Sequence, residues 1–131
     1  CQGFSQAGKK LADDPRNTLF NEFLRATKLI EPDCIIGENV KGLLKRETST
    51  GENYIDIIKK EFENIGYDIE YKILKCSDYG IPQVRERLII IGVKSSLNKK
   101  IKFPTVLETP TDLKDIIEFN MEGTIKIDKQ L

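Results

Sequence analysis

Residues 87–93 read Arg87-Leu88-Ile89-Ile90-Ile91-Gly92-Val93, an apolar run unbroken after its first arginine. Such a run is most simply a buried strand. Upstream, Ile69, Tyr71 and Ile73 alternate with Glu70 and Lys72, which predicts a strand with one wet face, as at a sheet edge. The stretch from Ser77 to Arg85 contains Gly80-Ile81-Pro82 and reads as a loop without a helix, so the two strands it joins suit an antiparallel pair. Further back, Asp33-Cys34-Ile35-Ile36-Gly37-Glu38 is a short apolar run ending on a carboxylate, again a buried strand. Between these strands Tyr54, Ile55, Ile58, Phe62 and Ile65 form a helical stripe, with Gly66 as its left-handed cap. Lys41 to Glu52 is polar and irregular. An earlier helix starts at Asp13-Asp14-Pro15, carries Leu19, Phe20, Phe23, Leu24 and Ile30 at helical spacing, and stops at Glu31-Pro32. Beyond Lys94, Lys102-Phe103-Pro104 and Thr109-Pro110 mark loops, and Asp112 to Phe119 forms one short helix. The order helix, strand, helix, strand, strand predicts an α/β fold with helices packed on a sheet.

The chain has 131 residues, 39% of them apolar and 32% charged, which fits one globular domain and argues against disorder. Lysine plus arginine and aspartate plus glutamate are both 21, so a general polyanion coat is not expected, while a local basic site remains open. Histidine is absent, which removes Ser-His and Cys-His nucleophile pairs and the His-containing zinc sites. Cys1, Cys34 and Cys76 are far apart and lack CxxC spacing, so neither a disulfide framework nor a structural zinc is expected. No apolar run approaches the roughly 20 residues of a membrane span, and no secretory leader is visible, so a cytoplasmic protein is the expectation. No GxG or GxGxxG loop occurs, so the usual phosphate- or nucleoside-cradling turn of such a fold is not in this sequence.

Three short segments carry chemistry. Cys1-Gln2-Gly3-Phe4-Ser5 puts a cysteine in a glycine-containing loop, and the following Gln6-Ala7-Gly8-Lys9-Lys10 adds positive charge that favours a thiolate. Taken alone, it reads as a surface thiol. Glu38-Asn39-Val40 places a carboxylate at the carboxyl end of a strand, where ligands bind in open α/β sheets. Partial burial there would raise its pKa and make it a proton donor near neutrality. Taken alone, it reads as a capping or solvent carboxylate. In Gln83-Val84-Arg85-Glu86-Arg87, an extended backbone would turn Gln83, Arg85 and Arg87 to one side, and two guanidinium forks suit a carbonyl oxygen or a phosphate. Taken alone, it reads as a charged strand edge.

In this order the three segments resemble the C5-cytosine DNA methyltransferases. Asp14-Pro15-Arg16-Asn17-Thr18-Leu19-Phe20 is similar to the family's helix start after the catalytic loop, and Asp78-Tyr79-Gly80-Ile81-Pro82-Gln83 to the lead-in of its arginine motif. The resemblance runs from Cys1 to about Val93, and more faintly through Phe103-Pro104 and the Asp112 region. It implies the C-terminal half of a Rossmann-like methyltransferase fold, a mixed sheet with helices on its faces. Cys34–Gly37, Ile69–Leu74 and Leu88–Val93 would be the last three strands, the final one inserted antiparallel between the other two.

The resemblance also implies roles. The target cytosine of double-stranded DNA is flipped into a pocket. Cys1 would be the nucleophile that adds to C6, Glu38 would protonate or hydrogen-bond N3, Arg87 would hold O2, and Arg85 would support the pocket or a phosphate. The methyl donor would be S-adenosylmethionine, with Leu19 packed beside it. Gln2 and Ser5 would contact DNA near the emptied stack, and Lys9 and Arg16 would meet phosphates. Asn39 would brace the catalytic loop, and Gln83 would be structural. No metal and no membrane enters this reading.

The sequence departs from the family pattern in lacking the proline before the cysteine, the preceding strand, the glycine-rich donor loop and the acidic residue that holds the donor ribose. The expectation is therefore residues 1–94 as part of a catalytic domain and 95–131 as an irregular extension toward a target-recognition region. The outer side of Cys34–Gly37 should be apolar and unpaired, and should require a missing N-terminal half or self-association. A fragment of this kind is expected to be inactive alone. The rival expectations are a related transfer-RNA methyltransferase, a non-catalytic or split-subunit module, and a generic α/β fragment.

Overall fold

The computed structural model describes residues 20–107, together with 112–115, 117 and 123. Helix α1 (Phe20–Ile30) leads to strand β1 (Cys34–Asn39) and a 3-10 turn at Lys41–Lys45. Helix α2 (Tyr54–Asn64), strand β2 (Tyr67–Lys75), a 3-10 turn at Cys76–Tyr79 and strand β3 (Glu86–Lys94) follow. The start expected for the first helix lies outside the described residues. The short helix expected over Asp112 to Phe119 is, among the described residues, a 3-10 turn at Leu113–Asp115.

The strand order is β1-β3-β2, so the last strand lies in the middle of the sheet. Both ladders are antiparallel: Cys34 opposes Val93 and Asn39 opposes Leu88 on one side, while Tyr67 opposes Lys94 and Lys75 opposes Glu86 on the other. This is the insertion that the family resemblance implied. No described strand pairs with the outer edge of β1, and β2 is the opposite edge.

Side chains alternate across a strand, and here the alternation separates a packed face from an uncovered one. Ile35, Leu88, Ile90, Tyr67 and Ile69 are buried on one face, against Leu24 of α1 and Ile55, Ile58 and Phe62 of α2. Phe23 meets Phe62 edge-on, ring centroids 5.4 Å apart. On the other face Ile36 is 69% exposed, and Ile89, Ile91 and Val93 are half-buried. The run 87–93 is therefore covered on one side only by described residues, although its sequence has the apolarity of a strand covered on both.

Helix α2 ends as its sequence predicts: Gly66 takes φ 85° and donates to the Glu63 carbonyl at 3.0 Å, a left-handed closure that a Cβ would strain. The next residue, Tyr67, is buried, and its hydroxyl donates to the Pro32 carbonyl at 2.6 Å, so β2 starts two residues earlier than the alternation Ile69, Tyr71, Ile73 suggested. In α1 the buried stripe is Leu24 and Thr27, with Thr27 Oγ1 donating to the Phe23 carbonyl at 2.9 Å. Ile30, expected in that stripe, is 74% exposed at the last residue of the helix. No helix among the described residues is long and apolar enough to cross a membrane.

Candidate active site

β1 and β3 bring two of the sequence motifs together. The antiparallel register sets Glu38 opposite Ile89, so Arg87 is its diagonal neighbour on the same face of the sheet. Arg87 Nε lies 2.8 Å from Glu38 Oε1 in an ion pair, and Nη1 donates to the Glu86 carbonyl at 2.8 Å. Among the described residues the Nη2 end of this guanidinium has no hydrogen bond. The Arg87 side chain is 24% exposed and that of Glu38 is 55% exposed. An ion pair this open contributes less than about 1 kcal/mol to stability, so its consequence is placement: a carboxylate and a fork of N–H donors held side by side. The partial burial expected of Glu38 is not found among the described residues, because it stands next to the last residue of β1 on the sheet face that no described element covers.

The remaining motif residues lie around this pair. Asn39 Oδ1 accepts the Val40 N–H at 2.9 Å, which carries the chain out of β1 into the 3-10 turn. Gln83 and Arg85 are exposed and precede β3, which begins only at Glu86, so the strand register that would align them with Arg87 does not reach them. The Gln83 N–H donates to the Ile81 carbonyl at 2.7 Å, and the Arg85 carbonyl accepts the Cys76 N–H at 2.8 Å, which closes the loop between β2 and β3. Cys1, Gln2, Ser5, Lys9, Arg16 and Leu19 lie outside the described residues.

Two residues of the site escaped the sequence reading. Lys41 Nζ pairs with Glu86 Oε2 across the mouth between β1 and β3. That hydrogen bond, and then the lysine charge, hold the Glu86 carboxyl below its ordinary pKa, with Lys75 acting in the same direction. The register contained the signal: continued two residues past Asn39 and Leu88, it sets Lys41 opposite Glu86.

Beside Glu38 a recess of about 280 Å³ opens between α1 and β1, with Phe20, Phe23, Asn39, Leu43 and Phe62 among its lining residues. Aromatic faces with a carboxylate at the rim suit an apolar ligand that carries a localised positive charge.

A sheet whose final strand runs antiparallel between its neighbours, with an acid and an arginine meeting at their ends, can be set against known proteins. The family model for C-5 cytosine-specific DNA methylase matches residues 1–130, and the chain belongs to that family. It is 44% identical over 106 residues to the type II methyltransferase M.DdeI of Desulfomicrobium norvegicum, covering 79% of this chain and 26% of that protein. It is 39% identical over 106 residues to the type II methyltransferase M.BspRI of Lysinibacillus sphaericus, covering 81% and 24%. Among solved structures, a prophage-encoded protein of E. coli assigned as a DNA modification methyltransferase superposes with a TM-score of 0.66 at 30% identity, covering 88% of this chain and 32% of that one. The chain thus spans about a quarter of the length of these curated relatives.

Proposed function

We propose that this chain supplies the nucleophile, acid and arginine of an enzyme that methylates C5 of cytosine in double-stranded DNA. The observation that carries the reading is the Glu38–Arg87 pair. In cytosine N3 and O2 are adjacent, and a carboxylate beside a guanidinium matches them as proton donor or acceptor and as hydrogen-bond donor.

The chemistry needs both groups. C5 of cytosine is a poor nucleophile. Addition of the Cys1 thiolate to C6 breaks the C5–C6 π bond and makes C5 electron-rich, while Glu38 protonates or hydrogen-bonds N3 and Arg87 holds O2, so that charge does not accumulate on the ring. S-adenosylmethionine supplies the methyl group that C5 accepts. Transfer of the C5 proton to solvent water, with N3 returning any proton it took to Glu38, then re-forms the double bond and expels the Cys1 thiolate. For the flipped base to reach this pair, Glu38 must turn from Arg87 toward N3; its exposure leaves it room to do so. Arg85 would support the pocket or a phosphate, Lys9 and Arg16 would meet phosphates, Gln2 and Ser5 would meet the DNA at the emptied stack, and Gln83 would hold the loop shape. Phe20, next in sequence to Leu19, lines the recess beside Glu38, and this recess fits the sulfonium end of the donor. The partners for the remainder of the donor would come from elsewhere in the enzyme.

In this reading residues 1–94 are part of the catalytic domain, and 95–131 lead toward target recognition. The outer edge of β1, which no described strand pairs, with the exposed Ile36 and the half-buried Ile89 and Ile91, supports docking of a further N-terminal part of the domain, or of a second copy, within a bacterial cytoplasmic enzyme. The test is covalent trapping. The complete enzyme is incubated with S-adenosylmethionine and either a duplex carrying 5-fluorocytosine or a fluorinated transfer RNA. The expected result is an adduct on the duplex alone, lost in Cys1→Ser. An adduct on RNA alone, or one that survives in Cys1→Ser, defeats the proposal.

A further inference from the structure

Past Asn39 and Leu88 the β1–β3 ladder ends, because Val40 gives its N–H to Asn39 and its carbonyl to Leu43. Arg87 and Glu86 remain in backbone register with Leu74 and Lys75 of β2, but among the described residues only side chains hold them on the β1 side. There are two such ties. On the uncovered face Arg87 meets Glu38, and from the Leu88 side of the strand Glu86 reaches Lys41. Glu86 also presents its carbonyl to Arg87 Nη1, so one residue anchors the strand end through its carboxylate and orients the guanidinium through its backbone.

We infer that Lys41 and Glu86 are positioning residues: their ion pair keeps the ends of β1 and β3 in register while Glu38 leaves Arg87 to engage the base. This rests on the proposed function above. The Glu38–Arg87 contact must open during the reaction, and a site held by that contact alone would lose its alignment as it opened. The second tie is made by side chains that take no part in the chemistry, so it persists. Arg87 then keeps one Nη1 hydrogen on a fixed carbonyl. An exposed pair of this kind, with side chains 55% and 40% exposed, adds little to folding, so its effect should appear in the rate rather than in stability.

The experiment is single-turnover and steady-state methylation by the complete enzyme carrying Lys41→Met, Glu86→Gln, both, or the exchanged pair Lys41→Glu with Glu86→Lys. Thermal unfolding is recorded on each variant. Each single variant is expected to lower kcat about ten-fold, since misplacing reacting groups by a fraction of an ångström is costly. KM for DNA and the Tm should be unchanged, the double variant should be no worse than either single one, and the exchanged pair should recover most of the rate. Wild-type kcat in Glu86→Gln overturns the inference, as do additive losses in the double variant, or a loss that follows Tm and is not recovered by the exchange. A wild-type enzyme that forms no cytosine adduct overturns the proposed function instead, so the two failures are distinct.

Discussion

Gly92 is the residue whose replacement tests the packing most sharply. It lies in β3 with Ile35 opposite on β1 and Ile69 opposite on β2. Both isoleucines are buried, and they close over the space where a side chain would stand. A Cβ at Gly92 would lie 2.5 Å from Ile69 Cδ1, 2.6 Å from Ile35 Cγ1 and 2.8 Å from Ile35 Cδ1. Carbon atoms rest at about 3.5–4.0 Å, so each contact is roughly 1 Å too short. The terminal methyl groups can turn aside, but Cγ1 of Ile35 is fixed by a stiff β-branched χ1 and moves only with its backbone or into a poor rotamer. Overpacking of this sort costs about 1–3 kcal/mol, partly offset by the roughly 0.5–1 kcal/mol that alanine gains over glycine in an ordered strand. Gly92→Ala should therefore destabilise by about 0.5–2 kcal/mol. Gly37→Ala is the control. Its Cβ would meet Phe23 Cε1 at 3.4 Å and Ile90 Cβ at 3.8 Å, which is ordinary contact, so it should be neutral or stabilising by a few tenths to about 1 kcal/mol. Equilibrium urea unfolding with an unchanged slope reads both. Equal midpoints for the two variants would refute the claim that Ile35 and Ile69 fill the space above Gly92.

Phe62→Ala removes a side chain 1% exposed against Phe23 and should cost about 3–5 kcal/mol in the same unfolding measurement. Tyr67→Phe deletes the bond to the Pro32 carbonyl and should cost about 0.5–1.5 kcal/mol. Burial, and then the charges of Glu31 and Asp33, raise the Tyr67 pKa in the folded state. Its contribution to stability is therefore complete below about pH 10, where the unfolded tyrosine titrates, and is lost as pH rises through the higher folded value. The urea midpoint of Tyr67→Phe should be flatter than that of wild type over this alkaline range. Arg87→Lys keeps a charge but loses the fork that reaches both Glu38 and the Glu86 carbonyl, and single-turnover methylation should fall about 10²-fold with KM for DNA little changed.

Much of this fold is legible from residues alone. The alternation of Ile69, Tyr71 and Ile73 with Glu70 and Lys72 identified the strand, although among these three only Ile69 is buried and Tyr71 and Ile73 are exposed at the sheet edge, and a loop without a helix pointed to the antiparallel β2–β3 pair. The insertion of β3 beside β1 was not written in any local pattern and came only through the likeness to a family. Leu43 is fully buried yet stands in a stretch that reads as polar and irregular. One turn of 3-10 helix is too short to show a period, so nothing local distinguishes its leucine from a loop residue. Of the site, Glu38 and Arg87 could be named from their motifs, whereas their contact depends on a register between strands far apart in sequence. Lys41 and Glu86 were invisible for the same reason: each is an unremarkable charge until the two strands are aligned.

The central place of β3 has a consequence for synthesis on the ribosome. β1 and β2 emerge first, and the edge that each turns toward β3 stays unpaired until residue 94 has left the exit tunnel. Sheet closure is then a late, long-range event, slow by nature and exposed to mispairing with other nascent chains. The same closing motion brings Arg87 against Glu38, so the nascent protein acquires its acid–arginine pair only when this last piece slides home.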